Sequence, residues 1–180
     1  MLIAFTGFLC LVLAMGIGRF AYTPVLPVML GDGLLDMGTA GIIASIHFIG
    51  YAMGAFAGAY AVASPRIILM ASLVGIAVST VAMGVTDNHA AWFAARWLAG
   101  FCSALVLIIV STCHIRSLAG PEHGNLQGWV FAGVGAGIML VGVAVLAMMI
   151  MAVTSQTIWL CFGLLALAGS VYLYAQQIDF

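Results

Sequence analysis

Arg19 and Arg96 are permanent cations inside apolar runs long enough to cross a membrane, and through them this chain could do chemistry. A guanidinium in hydrocarbon costs at least ~2.5–3.5 kcal/mol on insertion scales, so its presence there points to a function. The five acidic residues all fall between the apolar runs or at the terminus. Both arginines therefore lack a carboxylate of this chain at membrane depth, and a buried cation needs compensation. Backbone carbonyls, a further chain segment or a bound anion can each supply it. The last is a mechanism, because a cavity with fixed positive charge attracts anionic solutes such as carboxylates.

Arg19 stands in the run Gly16-Ile17-Gly18-Arg19-Phe20-Ala21-Tyr22-Thr23-Pro24-Val25-Leu26-Pro27. Gly16 and Gly18 expose backbone beside the charge, while Pro24 and Pro27 each withhold an N–H donor and loosen the helix. Between Arg19 and the next turn lies ~16 Å of helix, a long reach for a snorkelling side chain. Tyr22, three residues on, shares its face and offers a hydroxyl beside the guanidinium. Arg96 is only ~9 Å from the end of its span, so snorkelling to the headgroups competes with a functional role. One face of its helix reads Arg96, Gly100, Ser103, Leu107, which predicts a small-residue cleft beside the charge. His47 falls near mid-membrane with Tyr51 one turn further on. A hydrogen-bonded packing role and a proton-relay or solute-contacting role are both open to it. The candidate solute-binding residues are thus Arg19, Tyr22, Arg96 and His47.

Composition says what must position them. Only 5% of the 180 residues are charged, 66% are hydrophobic and lysine is absent. No water-soluble domain covers its surface with so little charge, so the chain reads as an all-α, polytopic integral membrane protein in a lipid bilayer. Barrel strands would alternate over roughly 10 residues, whereas these apolar runs are about twice as long. Six transmembrane helices are predicted, over about residues 2–30, 37–62, 67–85, 90–113, 128–153 and 158–175. Short connections join them into a single six-helix bundle over 1–180. The first is ~43 Å long against a ~30 Å hydrocarbon core, so it must tilt, bend or protrude. Arg66 and Arg116 occupy the second and fourth connections, and Asp32, Asp36 and Asp87 the first and third. The positive-inside rule then puts both termini in the cytoplasm.

Small residues mark the packing faces. Gly50, Gly54 and Gly58 form one stripe on the second helix, and Gly133 and Gly137 another on the fifth. Such faces let backbones approach closely. Plain helix packing and sliding contact with a second bundle are both open. Trp92, Trp97, Trp159, Tyr172 and Tyr174 fit interfacial aromatic belts. Cys10, Cys102, Cys113 and Cys161 read as small packing residues. His89, His114 and His123 have no ligand spacing, so neither a metal site nor a cofactor is expected. A net charge of −1 without a basic run argues against nucleic acid. The apolar N-terminus lacks a basic n-region and an A-x-A site, so no cleaved signal peptide is expected.

The first-helix run from Gly16 to Pro27 resembles the signature of the YbfB/YjiJ-like branch of the major facilitator superfamily. Phe131-Ala132-Gly133-Val134-Gly135-Ala136-Gly137-Ile138 resembles that branch's fifth helix, and Arg96-Trp97-Leu98-Ala99-Gly100 is similar to the superfamily's fourth-helix pattern. The loop signature after the second helix is reduced here to Ser64-Pro65-Arg66. The resemblance implies twelve helices in two halves, each a pair of inverted three-helix repeats, of which this chain supplies the N-terminal half. It places the first and fourth helices on the central cavity, with Arg19, Tyr22 and Arg96 near solute. It places the glycine stripes against a second six-helix half, supplied by a missing segment or another chain.

The expected function is secondary active transport of a small, anionic or polar organic solute by alternating access, in the cell (inner) membrane. The alternative is a truncated, non-transporting module that only assembles with a partner half. An enzyme is not expected. Six-helix intramembrane proteases need a G-x-S-G element, which Gly100-Phe101-Cys102-Ser103-Ala104 does not provide.

Overall fold

The computed structural model of the protein describes residues 2–60, 64–114 and 124–176. It is an integral membrane protein with, among these residues, six helices long and apolar enough to span a bilayer. They are α1 (Leu2–Gly31), α2 (Met37–Ala59), α3 (Pro65–Val85), α4 (His89–Cys113), α5 (Gly124–Ile150) and α6 (Ser155–Ala175). No strand occurs among the described residues. Arg116, Glu122, His123 and the last four residues lie outside them, as does most of the loop expected between α4 and α5.

Helix ends follow local chemistry and shift several predicted boundaries. Pro65 opens α3 two residues early, at a first-turn position where its missing N–H costs nothing. Thr154 caps α6 three residues early, its hydroxyl accepting from the Thr157 amide. α5 starts at Gly124 and stops at Ile150, before Ala152 turns left-handed at φ 53°. α2 ends at Ala59, short of the predicted 62.

α1 is not one regular helix. An α-helical piece, Leu2–Leu11, passes into a π-helical piece, Val12–Phe20, and returns to α geometry at Tyr22–Gly31. π geometry occurs mostly as single-turn bulges at functional sites. Here the change back to α falls between Gly18 and Pro24, where the proline has no N–H to offer.

Two intimate helix pairs frame the bundle: α1 against α5, and α2 against α4. α3 packs on α6 and α4, and α4 touches α1. Exchanging every helix for the one three places away turns the first pair into the second, the internal symmetry of two inverted three-helix repeats. The glycines share it. A Cβ on Gly50 or Gly54 would overlap the carbonyl of Trp97 or Phe101 on α4. On Gly133 it would overlap the Phe8 carbonyl of α1, and on Gly137 it would come within 2.8 Å of the Val12 carbonyl. Gly58 meets side chains rather than backbone, those of Ile108 and Leu105. The stripes are therefore turned into this bundle, not toward a second one. What α2 and α5 leave open is bulky: Phe48, Met53 and Phe56 on one, Met139, Val143 and Leu146 on the other.

Three connections tie one end together. Asp32 accepts from the Ser155 amide at 2.8 Å, at the start of α6, where a carboxylate also suits the helix dipole. Asp87 accepts from the Gln156 side chain at 2.6 Å, and His89 Nε2 lies 3.0 Å from the Leu34 carbonyl. Asp36 caps α2, accepting from the Thr39 amide at 2.9 Å and its hydroxyl at 3.2 Å. Those bonds, the backbone ones first, hold the Asp36 carboxyl below its ordinary pKa. A depressed carboxylate stabilises fully above its unfolded pKa and loses that contribution as pH falls through the folded value. Asp36→Asn, still a good cap, will flatten this part of the acid dependence in thermal melts. An acid limb identical to that of the parent protein would contradict the assignment.

Candidate functional site: a two-arginine cavity

Arg96 is 2% exposed, held on α4 by the close approach of α2 at Gly100. Its side chain crosses to the irregular part of α1. There Nη1 donates to the Gly18 carbonyl at 3.2 Å and Nη2 to the Arg19 carbonyl at 3.3 Å. These carbonyls lie where π geometry gives way to α, so the guanidinium supplies donors that the helix lacks. The Tyr22 ring lies 5.3 Å from its Cζ and the Trp159 ring 5.9 Å. Ser103, two turns along α4, adds a bond from its hydroxyl to the Ala14 carbonyl at 3.1 Å. The predicted cleft along Arg96, Gly100 and Ser103 is consequently filled by the backbones of α1 and α2.

Arg19 is placed differently. It is half-buried, with its Cζ 4.4 Å from the Tyr51 ring centroid, 5.1 Å from Phe20 and 5.9 Å from Phe48. Such faces each stabilise a cation by ~0.5–2 kcal/mol, yet satisfy none of its N–H groups. Its Nε is buried and has no hydrogen-bond partner among the described residues. Neither arginine has a carboxylate partner among them.

His47 is 3% exposed, and its Nδ1 lies 3.1 Å from the Arg96 carbonyl. Its Nε2 is buried without a partner. Tyr22 is buried too, but its hydroxyl donates to the Ala40 carbonyl at 3.0 Å, so only its ring faces a guanidinium, that of Arg96. Together Arg19, Tyr22, His47 and Arg96 bound one partly open cavity of about 70 Å³, completed by Phe20 and Phe48 among others. Buried polar atoms are nearly always hydrogen-bonded, and exceptions call for an explanation. Among the described residues four side-chain atoms are exceptions: Arg19 Nε, His47 Nε2, Arg96 Nε and Ser155 Oγ. Three of these four belong to residues around this cavity.

The family described as Uncharacterised MFS-type transporter YbfB matches residues 11–179. The chain belongs to that family of major facilitator transporters. No curated protein matches it at a significant level. In this YbfB-type transporter the cavity lies between α1, α2 and α4, and residues distant in sequence build it. Trp159 belongs to its surroundings and was missed as such. It is fully buried, its indole N–H 3.4 Å from Met29 Sδ, and it covers Arg96 rather than joining an interfacial belt. Trp92 is fully buried as well and bonds the Thr86 carbonyl at 2.8 Å. Tyr172 and Tyr174 are exposed, as belt residues would be. Cys10 and Cys102 are buried, Cys113 is half-buried and Cys161 is exposed. No cluster of metal-ligating side chains forms among the described residues.

Proposed function

We propose that the chain carries out secondary active transport of a small organic anion by alternating access, with Arg19 as the charge that meets the solute. One observation carries this reading: a buried and a half-buried cation, Arg96 and Arg19, border one cavity with no carboxylate beside them among the described residues. Arg96 has found its compensation in backbone carbonyls, which leaves the Arg19 guanidinium as the group still able to take an anion. His47 serves as the second polar contact. Tyr22 and Arg96 hold the walls. The bulky open faces of α2 and α5 suit a second six-helix half, and the loop arginines Arg66 and Arg116 suit cytoplasmic termini in the inner membrane.

Arg19→Ala and Arg19→Lys, each expressed to the parent level, should both cut uptake of labelled short carboxylates at least tenfold. Lysine keeps the charge but loses the planar fork that grips a carboxylate with two bonds. Parent-like uptake in both variants would remove Arg19 from the solute path.

A further inference from the structure

We infer that this cavity recognises the head group of a 2-hydroxycarboxylate: the carboxylate on Arg19, and the adjacent hydroxyl donating to His47 Nε2. The inference rests on the anion-transport reading above and narrows it to a solute class.

Hydrogen-bond accounting at His47 carries the argument. A peptide carbonyl can only accept, so the 3.1 Å contact with the Arg96 carbonyl requires that Nδ1 carry the proton. In the neutral ring Nε2 then presents a lone pair, and that nitrogen is the buried one without a partner. The unpartnered groups around the cavity are therefore of two kinds: N–H donors on two fixed cations, and one acceptor on a histidine. A simple carboxylate offers acceptors only. It can serve the arginine but leaves His47 Nε2 unmet. The complementary ligand joins an anionic acceptor to a neutral donor.

Size and charge narrow the choice further. At about 70 Å³ the cavity is small and partly open, so it suits a compact head group. We place donor and carboxylate on neighbouring carbons for that reason, beside Phe48, a lining residue that is 57% exposed. An amino group would also donate, but as an ammonium it would enter a cavity bordered by two arginines and no acid. Like charges in a low-dielectric site repel strongly. A hydroxyl meets no such penalty.

Lactate and propionate differ by this hydroxyl alone, and alanine replaces it with an ammonium. The affinities of the purified protein for all three, read from ligand-induced melting shifts, test the inference. Lactate should bind about five- to tenfold more tightly than propionate, the increment of one net hydrogen bond, and alanine should not bind measurably. In His47→Asn the amide N–H can still serve the Arg96 carbonyl while the second nitrogen is gone. There the lactate-to-propionate ratio should fall to about one. Equal binding of lactate and propionate by the parent protein would overturn the hydroxyl contact and leave the anion site standing. A preference that survives in His47→Asn would overturn the role of His47. Failure of both carboxylates to bind would overturn the solute class and the anion reading together. The melting temperature of unliganded His47→Asn shows that the variant is folded.

Discussion

Gly100→Val will separate α2 from α4 and abolish the cavity with it. A Cβ at position 100 would overlap the His47 carbonyl and come within 2.9 Å of the Tyr51 amide nitrogen. Both are backbone atoms of a helix, so no rotamer change relieves the clash and the whole of α2 must move. Overpacking in a well-packed core costs ~1–3 kcal/mol even when side chains can yield. Where only a helix can yield, the loss should reach the upper part of that range or exceed it. Moreover, the same turn of α2 carries His47 and Tyr51, which face Arg96 and Arg19 respectively. Thermal unfolding in detergent should show a drop of several degrees, and binding of short carboxylates should vanish. Gly135→Val, at a position with no atom within 4 Å of the added carbon, is the matched control and should melt like the parent. Equal melting temperatures for Gly100→Val and Gly135→Val would show that α2 and α4 do not depend on this contact.

Much of this architecture was legible before any geometry. Six spans, the small-residue faces and the exceptional status of Arg19, Arg96 and His47 follow from hydropathy and spacing, because hydrocarbon imposes strict terms on charge and backbone. Spacing, however, gives the face of a helix and not its neighbour. The stripes Gly50–Gly58 and Gly133–Gly137 could equally have met a second bundle, and only the fold turns them onto α4 and α1. Trp159 illustrates the cost of a boundary error. With α6 beginning at residue 158 it sits at a membrane interface, but Thr154 starts the helix a turn earlier and carries it inside, over Arg96.

The π-helical piece had a weaker signal still. α and π geometry differ by one residue in hydrogen-bond spacing, a difference no hydrophobic pattern resolves over Val12–Phe20. Its traces were Gly16 and Gly18, which expose backbone, and Pro24, which with Pro27 loosens the helix. Compensation of a buried arginine by carbonyls, by another segment or by an anion was an open choice in the sequence. The structure divides it: carbonyls for Arg96, and for Arg19, among the described residues, aromatic faces.

That division makes Arg96 a positioning residue, and its variants should separate position from charge. Arg96→Met removes a buried cation, which relieves at least ~2.5–3.5 kcal/mol of desolvation. It also forfeits two charge-assisted bonds to Gly18 and Arg19, at ~1.5–3 kcal/mol each. The opposing amounts are similar, so the melting temperature should move by only a few degrees. Carboxylate binding should weaken sharply. Without donors for its carbonyls, α1 gains by closing the π stretch into regular α geometry, and a one-residue change of register rotates Arg19 by about 100° relative to the rest of the bundle. Losing the Arg19 contact in this way costs ~1.5–3 kcal/mol, so affinity should fall about ten- to a hundredfold. Arg96→Lys decides between the two causes. An ammonium keeps the charge but cannot span two carbonyls while lying flat between Tyr22 and Trp159. If Arg96 acts by bracing α1, lysine will bind carboxylates as poorly as methionine does. Parent-like affinity in Arg96→Lys would mean that positive charge in the cavity is all this position contributes, and that the irregular stretch of α1 stands without it.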